Sequence, residues 1–358
     1  MSRMDSPPRA IRLAGSGETG PLGEDPRSIP EMVLEAVDLA LADAAIGHDA
    51  IDAVTTASVD LFDGLTASNI AVTEVVGAVM KPECRIAADG LAAVVHGACQ
   101  IWSGAYDTVL VVAHAKASMA PNATLTEWAL DPIHQQPLGM NFPIAAGLQA
   151  NVLALADAQA ERRWAELAAD RRASGDGAMA PKLSAAEILA SEPVASPLRQ
   201  GMCAPLGDGA CAVVLRAAGE GMDGPLLRGV GHDLEPHALG DRDLGHWSGL
   251  ARALDRACAM ADLTPEDADF DLAEPSCLYP HEEELFLAAA GLPDGALVSP
   301  DGGLMAGCVP VVAGLSRLAA AARWLRLAGN EGKRALAHGS WGPAGQGQVV
   351  AVLDGAGQ

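Results

Sequence analysis

Aromatic side chains are scarce in this sequence, at 3% of 358 residues. A core with so few rings has to be packed with small aliphatic side chains, helix against sheet; half of the residues are apolar, and glycine is abundant at 39. Paired cysteines are lacking too. The seven cysteines (Cys84, Cys99, Cys203, Cys211, Cys258, Cys277 and Cys308) are scattered with no CxxC spacing. That pattern argues against a disulfide framework or a bound metal such as zinc, and for free thiols in a reducing, cytoplasmic setting. No uninterrupted apolar run of about 20 residues occurs, so no membrane span is expected. The N-terminus shows no basic-then-apolar signal pattern. Positive charge is short: 23 Lys and Arg stand against 46 Asp and Glu, a formal net charge of −23. Such a surface repels phosphate backbones and speaks against nucleic-acid binding. The first eight residues, with Ser6-Pro7-Pro8, are expected to be unstructured.

What is present is an alternation of short apolar strands and amphipathic helices. Ala10 to Ala14 reads as a first strand, followed by a Gly/Glu-rich loop. From Ile29 to Ala45, Met32, Val33, Ala36, Val37, Ala40 and Leu41 form one helical stripe. Ile51 to Thr56 reads as a strand, Asp89 to Ser103 as a helix with Asp89 as its N-cap, and Thr108 to Val112 as a buried strand. This alternation predicts an α/β fold with a largely parallel sheet. The Pro-rich, then Ala-rich, stretch from about 114 to 197 breaks the rhythm and reads as a lid. Gly207-Asp208-Gly209-Ala210-Cys211-Ala212-Val213-Val214-Leu215 repeats in pattern as Gly345-Gln346-Gly347-Gln348-Val349-Val350-Ala351-Val352-Leu353, each a Gly-x-Gly turn entering an apolar strand. Ala88-Asp89-Gly90-Leu91 likewise resembles Pro300-Asp301-Gly302-Gly303-Leu304. Two similar halves, 1–223 with the lid and 224–358, account for this repeat. The length exceeds one compact core, which points the same way.

Three segments resemble the thiolase superfamily, in its sterol-carrier-protein-type and archaeal branch. Ile101-Trp102-Ser103-Gly104-Ala105-Tyr106-Asp107 is similar to "I-x-S-G-x-x-D". Met202-Cys203-Ala204-Pro205-Leu206-Gly207-Asp208-Gly209-Ala210 is similar to "C-C-P-x-S-D-G-A". Val298-Ser299-Pro300-Asp301-Gly302-Gly303 resembles "V-N-P-S-G-G". The resemblance covers nearly the whole chain. It implies a five-layered αβαβα fold built from two similar halves, a homodimer, and an active site where the halves meet.

The positions that carry the family's chemistry are changed. The nucleophile motif "C-x-S/T-G" reads Ala87-Ala88-Asp89-Gly90 here, with Cys84 three residues upstream. In the family the helix dipole at this point stabilises a thiolate. The motif "E-L-H-D-C-F" reads Glu274-Pro275-Ser276-Cys277-Leu278-Tyr279, so its histidine is Ser276 and its cysteine is Leu278. The motif "G-H-P-x-G" reads Cys308-Val309-Pro310-Val311-Val312, so the general-base histidine is Val309. Valine neither takes a proton nor polarises a carbonyl. Thiolytic or Claisen chemistry needs a covalent acyl carrier and a base, and neither stands at the expected site.

Tyr279 and His281 remain as candidate catalytic groups. Asp89, Cys277, Cys308, Gly303 and Gly345 are candidate pocket-lining residues, and no metal ligands are read. The resemblance implies a coenzyme A thioester as substrate or ligand, with no other bound cofactor. Arg162, Arg163, Arg171, Arg172 and Lys182 are the basic cluster available to its phosphates. Three readings stay open. One is a nucleophile-free carbon–carbon lyase cleaving a β-hydroxyacyl-CoA by retro-aldol chemistry; the superfamily includes such aldolases, which work with an OB-fold, zinc-ribbon partner. The second is a non-catalytic subunit for dimerisation or acyl-CoA binding. The third is an acyltransferase with a displaced nucleophile. A lyase needs an open space at Ala87, a scaffold predicts that Leu278 and Val309 fill it, and an acyltransferase needs a cysteine there.

Overall fold

The computed structural model describes residues 9–64, 66–119, 121–175, 179–219 and 223–355. The first eight residues, expected to be unstructured, lie outside that range. The first half runs β1 (Ile11–Leu22), α1 (Ile29–Asp43), β2 (Ala53–Ala57), a short α2 (Asp60–Asp63), β3 (Glu83–Ile86), α3 (Gly90–Trp102) and β4 (Thr108–Lys116). The lid follows, with α4 (Asn122–Trp128), α5 (Phe142–Ala156), α6 (Ala160–Ser174), α7 (Ala185–Ala190) and a small hairpin of β5 (Pro193–Ala195) and β6 (Leu198–Arg199). Then come β7 (Asp208–Ala217), β8 (Leu226–Leu234), α8 (Ser248–Met260), β9 (Leu272–Glu274), α9 (Pro280–Ala290), β10 (Leu297–Val298), α10 (Ala313–Leu325), β11 (Arg334–Trp341) and β12 (Gly347–Asp354).

The main-sheet order is β10-β9-β11-β12-β8-β1-β7-β4-β2-β3. This order is mirror-symmetric about the β8–β1 pair. The two five-stranded halves touch there through only two residue pairs, Ile11↔Leu227 and Arg12↔Leu226. Helices α3 and α10 pack on each other between the halves, α1 covers β1 and β7, and α8 covers β8 and β12. The result is the five-layered αβαβα arrangement. The central layer is a single apolar cluster that mixes both halves, including Leu91, Val94, Val111, Val213, Leu315, Leu318, Leu272 and Val349.

Close helix–strand packing explains two departures from the expected elements. The Gly/Glu-rich stretch after Ala14 is strand, not loop, because Gly15 and Gly17 sit directly under α1. A Cβ at Gly17 would lie 2.2 Å from the Ala36 carbonyl oxygen, and one at Gly15 would lie 2.4 Å from that of Ala40. The same device recurs in the second half. A Cβ at Gly229 would meet the Ala257 carbonyl oxygen at 2.0 Å, and one at Gly231 that of Ala253 at 1.7 Å. Second, the apolar strand from Thr108 is not an edge. It is flanked by β7 and β2, and the free edge of that half is β3.

Asp208, read as turn chemistry, is a fully buried knot. Its carboxylate accepts from the N–H groups of Asp25 (3.0 Å) and Ser118 (2.8 Å), and from the Ser118 hydroxyl (2.7 Å). This ties the end of β7 to the loop after β1 and to the start of the lid.

Candidate functional site

Five segments meet over the central layer: the turn from β3 into α3, the loop from β9 into α9, the stretch before α10, the loop from β11 to β12, and lid helices α4 and α5. Between them lies a cavity of about 350 Å³. Ala87, Ala88 and Asp89 line one wall, Ser276, Leu278, Tyr279 and Glu282 another, and Cys308, Pro310 and Val311 a third. Gly345 lies at the rim with Ser340, Trp341 and Gln346, and Leu125, Thr126 and Phe142 come from the lid. A larger cleft of about 470 Å³ between residues 269–271, 293–297 and 332–334 contains none of these groups.

The turn into α3 is shaped around Asp89. As N-cap it accepts from Leu91 N–H at 2.8 Å, and its second oxygen accepts from Gly314 N–H at 2.9 Å. Two glycines make room for it: a Cβ at Gly314 or Gly339 would come within 2.0 or 2.3 Å of the Asp89 carboxylate. The two N–H donors favour the charged form, but burial outweighs them and lifts its pKa from 3.8 to about 7. The first helical N–H, that of Gly90, donates to the Val311 carbonyl at 2.6 Å. Val311 has φ 69°, a left-handed conformation that is an outlier for a β-branched residue. The helix N-terminus that stabilises a thiolate in active thiolases is thus occupied by Asp89 and the Val311 carbonyl.

Glu282, which sequence reasoning passed over as one of three consecutive glutamates, reaches the same cavity. It is the third residue of α9 and folds back, one oxygen accepting from Leu278 N–H at 2.7 Å and Tyr279 N–H at 3.3 Å. Burial raises its pKa from 4.5 to about 7. The signal was available: Tyr279-Pro280-His281-Glu282 places a Glu at the third position of a helix opened by proline, where it turns back on the N-cap. Its neighbours serve elsewhere. Glu283 pairs with Arg171, and Glu284 accepts from Arg163 at 3.1 Å and from the Trp164 indole at 2.7 Å, docking α9 against lid helix α6.

Tyr279 faces the cavity, and burial pushes its phenol well above the ordinary 10. His281 does not line the cavity. It is fully buried behind Tyr279, at 5.8 Å between rings from both Tyr279 and Trp164, with Nε2 3.3 Å from the Gln149 carbonyl oxygen on α5. Its sequence position two residues after Tyr279 puts it on the opposite side of the first helical turn. Burial lowers its pKa to about 3, so it stays neutral. Ser276 lines the cavity, and its N–H donates to His338 Nδ1 at 3.2 Å. His338 Nε2 lies 2.7 Å from the Gln348 oxygen, which assigns the ring proton to Nε2. Burial lowers its pKa to about 4.

Cys308 lines the cavity and its thiol is pushed up to about 12 by burial. Cys277 is buried among the C-terminal core residues, away from the cavity lining, and is likewise raised. Val309 and Gly303 border a neighbouring polar cleft of about 250 Å³ and not the main cavity. Cys84 lies on β3, outside both. Among the described residues, no group of three or more His, Cys, Asp or Glu is arranged to hold a metal ion.

The basic cluster is committed to the lid itself. Arg162 pairs with Glu166 at 2.9 Å, Arg163 with Asp157 and Glu284, and Arg171 with Glu283. Arg172 is buried and donates to the carbonyls of Gly201 (3.1 Å) and Cys203 (2.8 Å). Lys182 is exposed, and none of the five lines the cavity.

Comparison of the whole structure with solved structures identifies the architecture. Human mitochondrial 3-ketoacyl-CoA thiolase in complex with CoA superposes with a TM-score of 0.78 over 99% of this chain and 100% of that one, at 16% identity. The fold is that of the thiolases. A monomeric SCP2-thiolase-like protein type 1 from Mycobacterium smegmatis matches with a TM-score of 0.76 at 20% identity, over 99% of this chain and 78% of that one. A structure described as the Ltp2–ChsH2 (DUF35) aldolase matches with a TM-score of 0.77 at 18% identity, over 98% of both chains. No family model and no curated protein matches the sequence. Within the thiolase fold the cavity lies where the sequence motifs had placed the altered nucleophile and histidine segments.

Proposed function

We propose that the chain is a nucleophile-free carbon–carbon lyase that splits a β-hydroxyacyl thioester by a retro-aldol reaction. The observation that supports this reading is an open cavity beside Ala87 that holds two buried carboxyl groups poised near pH 7 and a neutral phenol. A filled cavity would have favoured a scaffold. The one cysteine in the lining, Cys308, is held as a thiol by burial, which speaks against a displaced nucleophile.

In the proposed step a carboxylate takes the proton of the β-hydroxyl. The Cβ–O electrons form the aldehyde carbonyl, the Cα–Cβ bond breaks, and its electrons move into the thioester as an enolate. Proton return to Cα yields the shortened acyl thioester, so the reaction balances with no co-reactant. Glu282 is assigned as the base, because both backbone donors bind one oxygen and leave the other for substrate, whereas both Asp89 oxygens accept N–H bonds. Tyr279, whose high pKa keeps its proton, donates a hydrogen bond to the thioester oxygen as charge develops there. Tyr279→Phe and Glu282→Gln are expected to lower aldehyde release by about 10²–10⁴-fold while the fold is retained. Full activity in both variants would overturn the assignment.

The proposed assembly is a homodimer joined through β3. That strand ends the sheet with a free edge, next to it Val79 and Met80 are exposed, and Cys99 is exposed on α3. A partner protein, as in the aldolase complex named above, belongs to the same proposal.

A further inference from the structure

The cavity is built for an uncharged guest. Its apolar walls come from Leu61, Phe62, Leu125, Phe142, Leu278 and Trp341, and no Lys or Arg is among its described lining residues. Only Arg3, of all the Lys and Arg in the chain, lies outside the described residues. The lid arginines that could have turned inward are spent on internal carboxylates and carbonyls. At the rim Arg242 is buried and donates to the Pro343 carbonyl at 2.7 Å. His237, the one lining group able to carry positive charge, is 3.2 Å from the Gln135 side-chain oxygen. Meanwhile Asp89 and Glu282 carry acid into the interior, and the whole chain has a formal net charge of −23. A phosphate at this site would find no opposite charge and would pay desolvation without return.

We infer that this chain recognises its thioester substrate through the acyl chain and the reacting oxygens alone, and makes no binding contact with the phosphates of a nucleotide carrier. The inference rests on the thioester reading above. It assigns the substrate class as a neutral, apolar β-hydroxyacyl thioester, whose carrier matters to this chain only through its thioester end. A charged carrier, where one is attached, remains in solvent or against another protein.

The test is calorimetric titration of the full-length protein with one acyl group on two carriers: 3-hydroxyoctanoyl-CoA and the N-acetylcysteamine thioester of the same acid, each at low and high salt. The expected result is two dissociation constants that agree to within about tenfold and change little with salt. His237→Ala should leave both unchanged. Overturning results are a CoA ester that binds more than about tenfold tighter with an affinity that falls as salt rises, or failure of both compounds to bind. Aldehyde release measured on the same two compounds separates this inference from the lyase assignment. Equal binding with no cleavage removes the lyase and leaves the recognition mode standing. Cleavage and tight binding of the CoA ester alone does the reverse.

Discussion

Asp89 and Glu282 show how burial sets chemistry one residue at a time. Each accepts backbone N–H bonds that favour the carboxylate, and in each the loss of water wins, bringing the value to about 7. With Glu282 as the base, turnover is expected to rise as pH passes through about 7, and Glu282→Gln should abolish that limb; a pH–rate profile reads this directly. The same shifts have a cost in stability. In the unfolded chain these groups ionise near 3.8 and 4.5, and in the folded chain near 7. Between those values the folded state binds more protons, so their contribution to stability is whole below about pH 4 and is lost as pH rises through about 7. Glu282→Gln should therefore flatten the fall in melting temperature between about pH 5 and pH 8 relative to the wild type. An unchanged slope would mean that Glu282 does not titrate in that window. Legibility differed sharply between these residues. The Asp89 cap could be read from the sequence, because capping is local. Glu282 was hidden, because only the backward turn of its side chain distinguishes it from Glu283 and Glu284.

At the scale of elements, small residues set the distances. Gly314 opens α10 beside Asp89, and Gly339 lies on β11 across from it. A methyl group at either would overlap the Asp89 carboxylate, which has no free volume to retreat into. Gly314→Ala is expected to lower unfolding free energy by about 1–3 kcal/mol, measured by denaturant melts, and to lower turnover with it. Gly104→Ala, where a Cβ meets nothing within 4 Å but φ is +77°, isolates the backbone cost alone. Element types and order were legible because apolar spacing reports them: the stripe Met32, Val33, Ala36, Val37, Ala40, Leu41 became the buried face of α1. What misled was glycine. Gly15 and Gly17 carry turn chemistry in a sequence, yet in β1 they serve the approach of a helix, which only the partner element reveals. His281 was misplaced for a similar reason: two residues along a helical turn is the other side of it, so adjacency in sequence to Tyr279 placed it behind the cavity wall.

For the whole molecule, duplication explains both the mirror-ordered sheet and the position of the cavity. Each half brings one central helix, α3 or α10, and the turn before each helix reaches the same space. An ancestral site between two such turns can lose its nucleophile and keep its shape, because the walls are made by the sheet and lid and not by the reacting side chains. Ala87, Ser276 and Val309 record that loss, and the apolar walls with two poised carboxyl groups are what remains for chemistry. The assembly can be checked by light scattering, where twice the chain mass of 36.5 kDa is expected; a mutation that places a proline in β3 should shift the protein to monomer. The central claim is cleavage of a carbon–carbon bond without a covalent acyl-enzyme. The most direct test is mass spectrometry of an acid-quenched reaction with a β-hydroxyacyl thioester, reading small-molecule products and intact protein together. The account predicts an aldehyde and a shortened acyl thioester with the protein mass unchanged throughout. An acyl adduct on the protein, or no aldehyde from a thioester that binds, would contradict it.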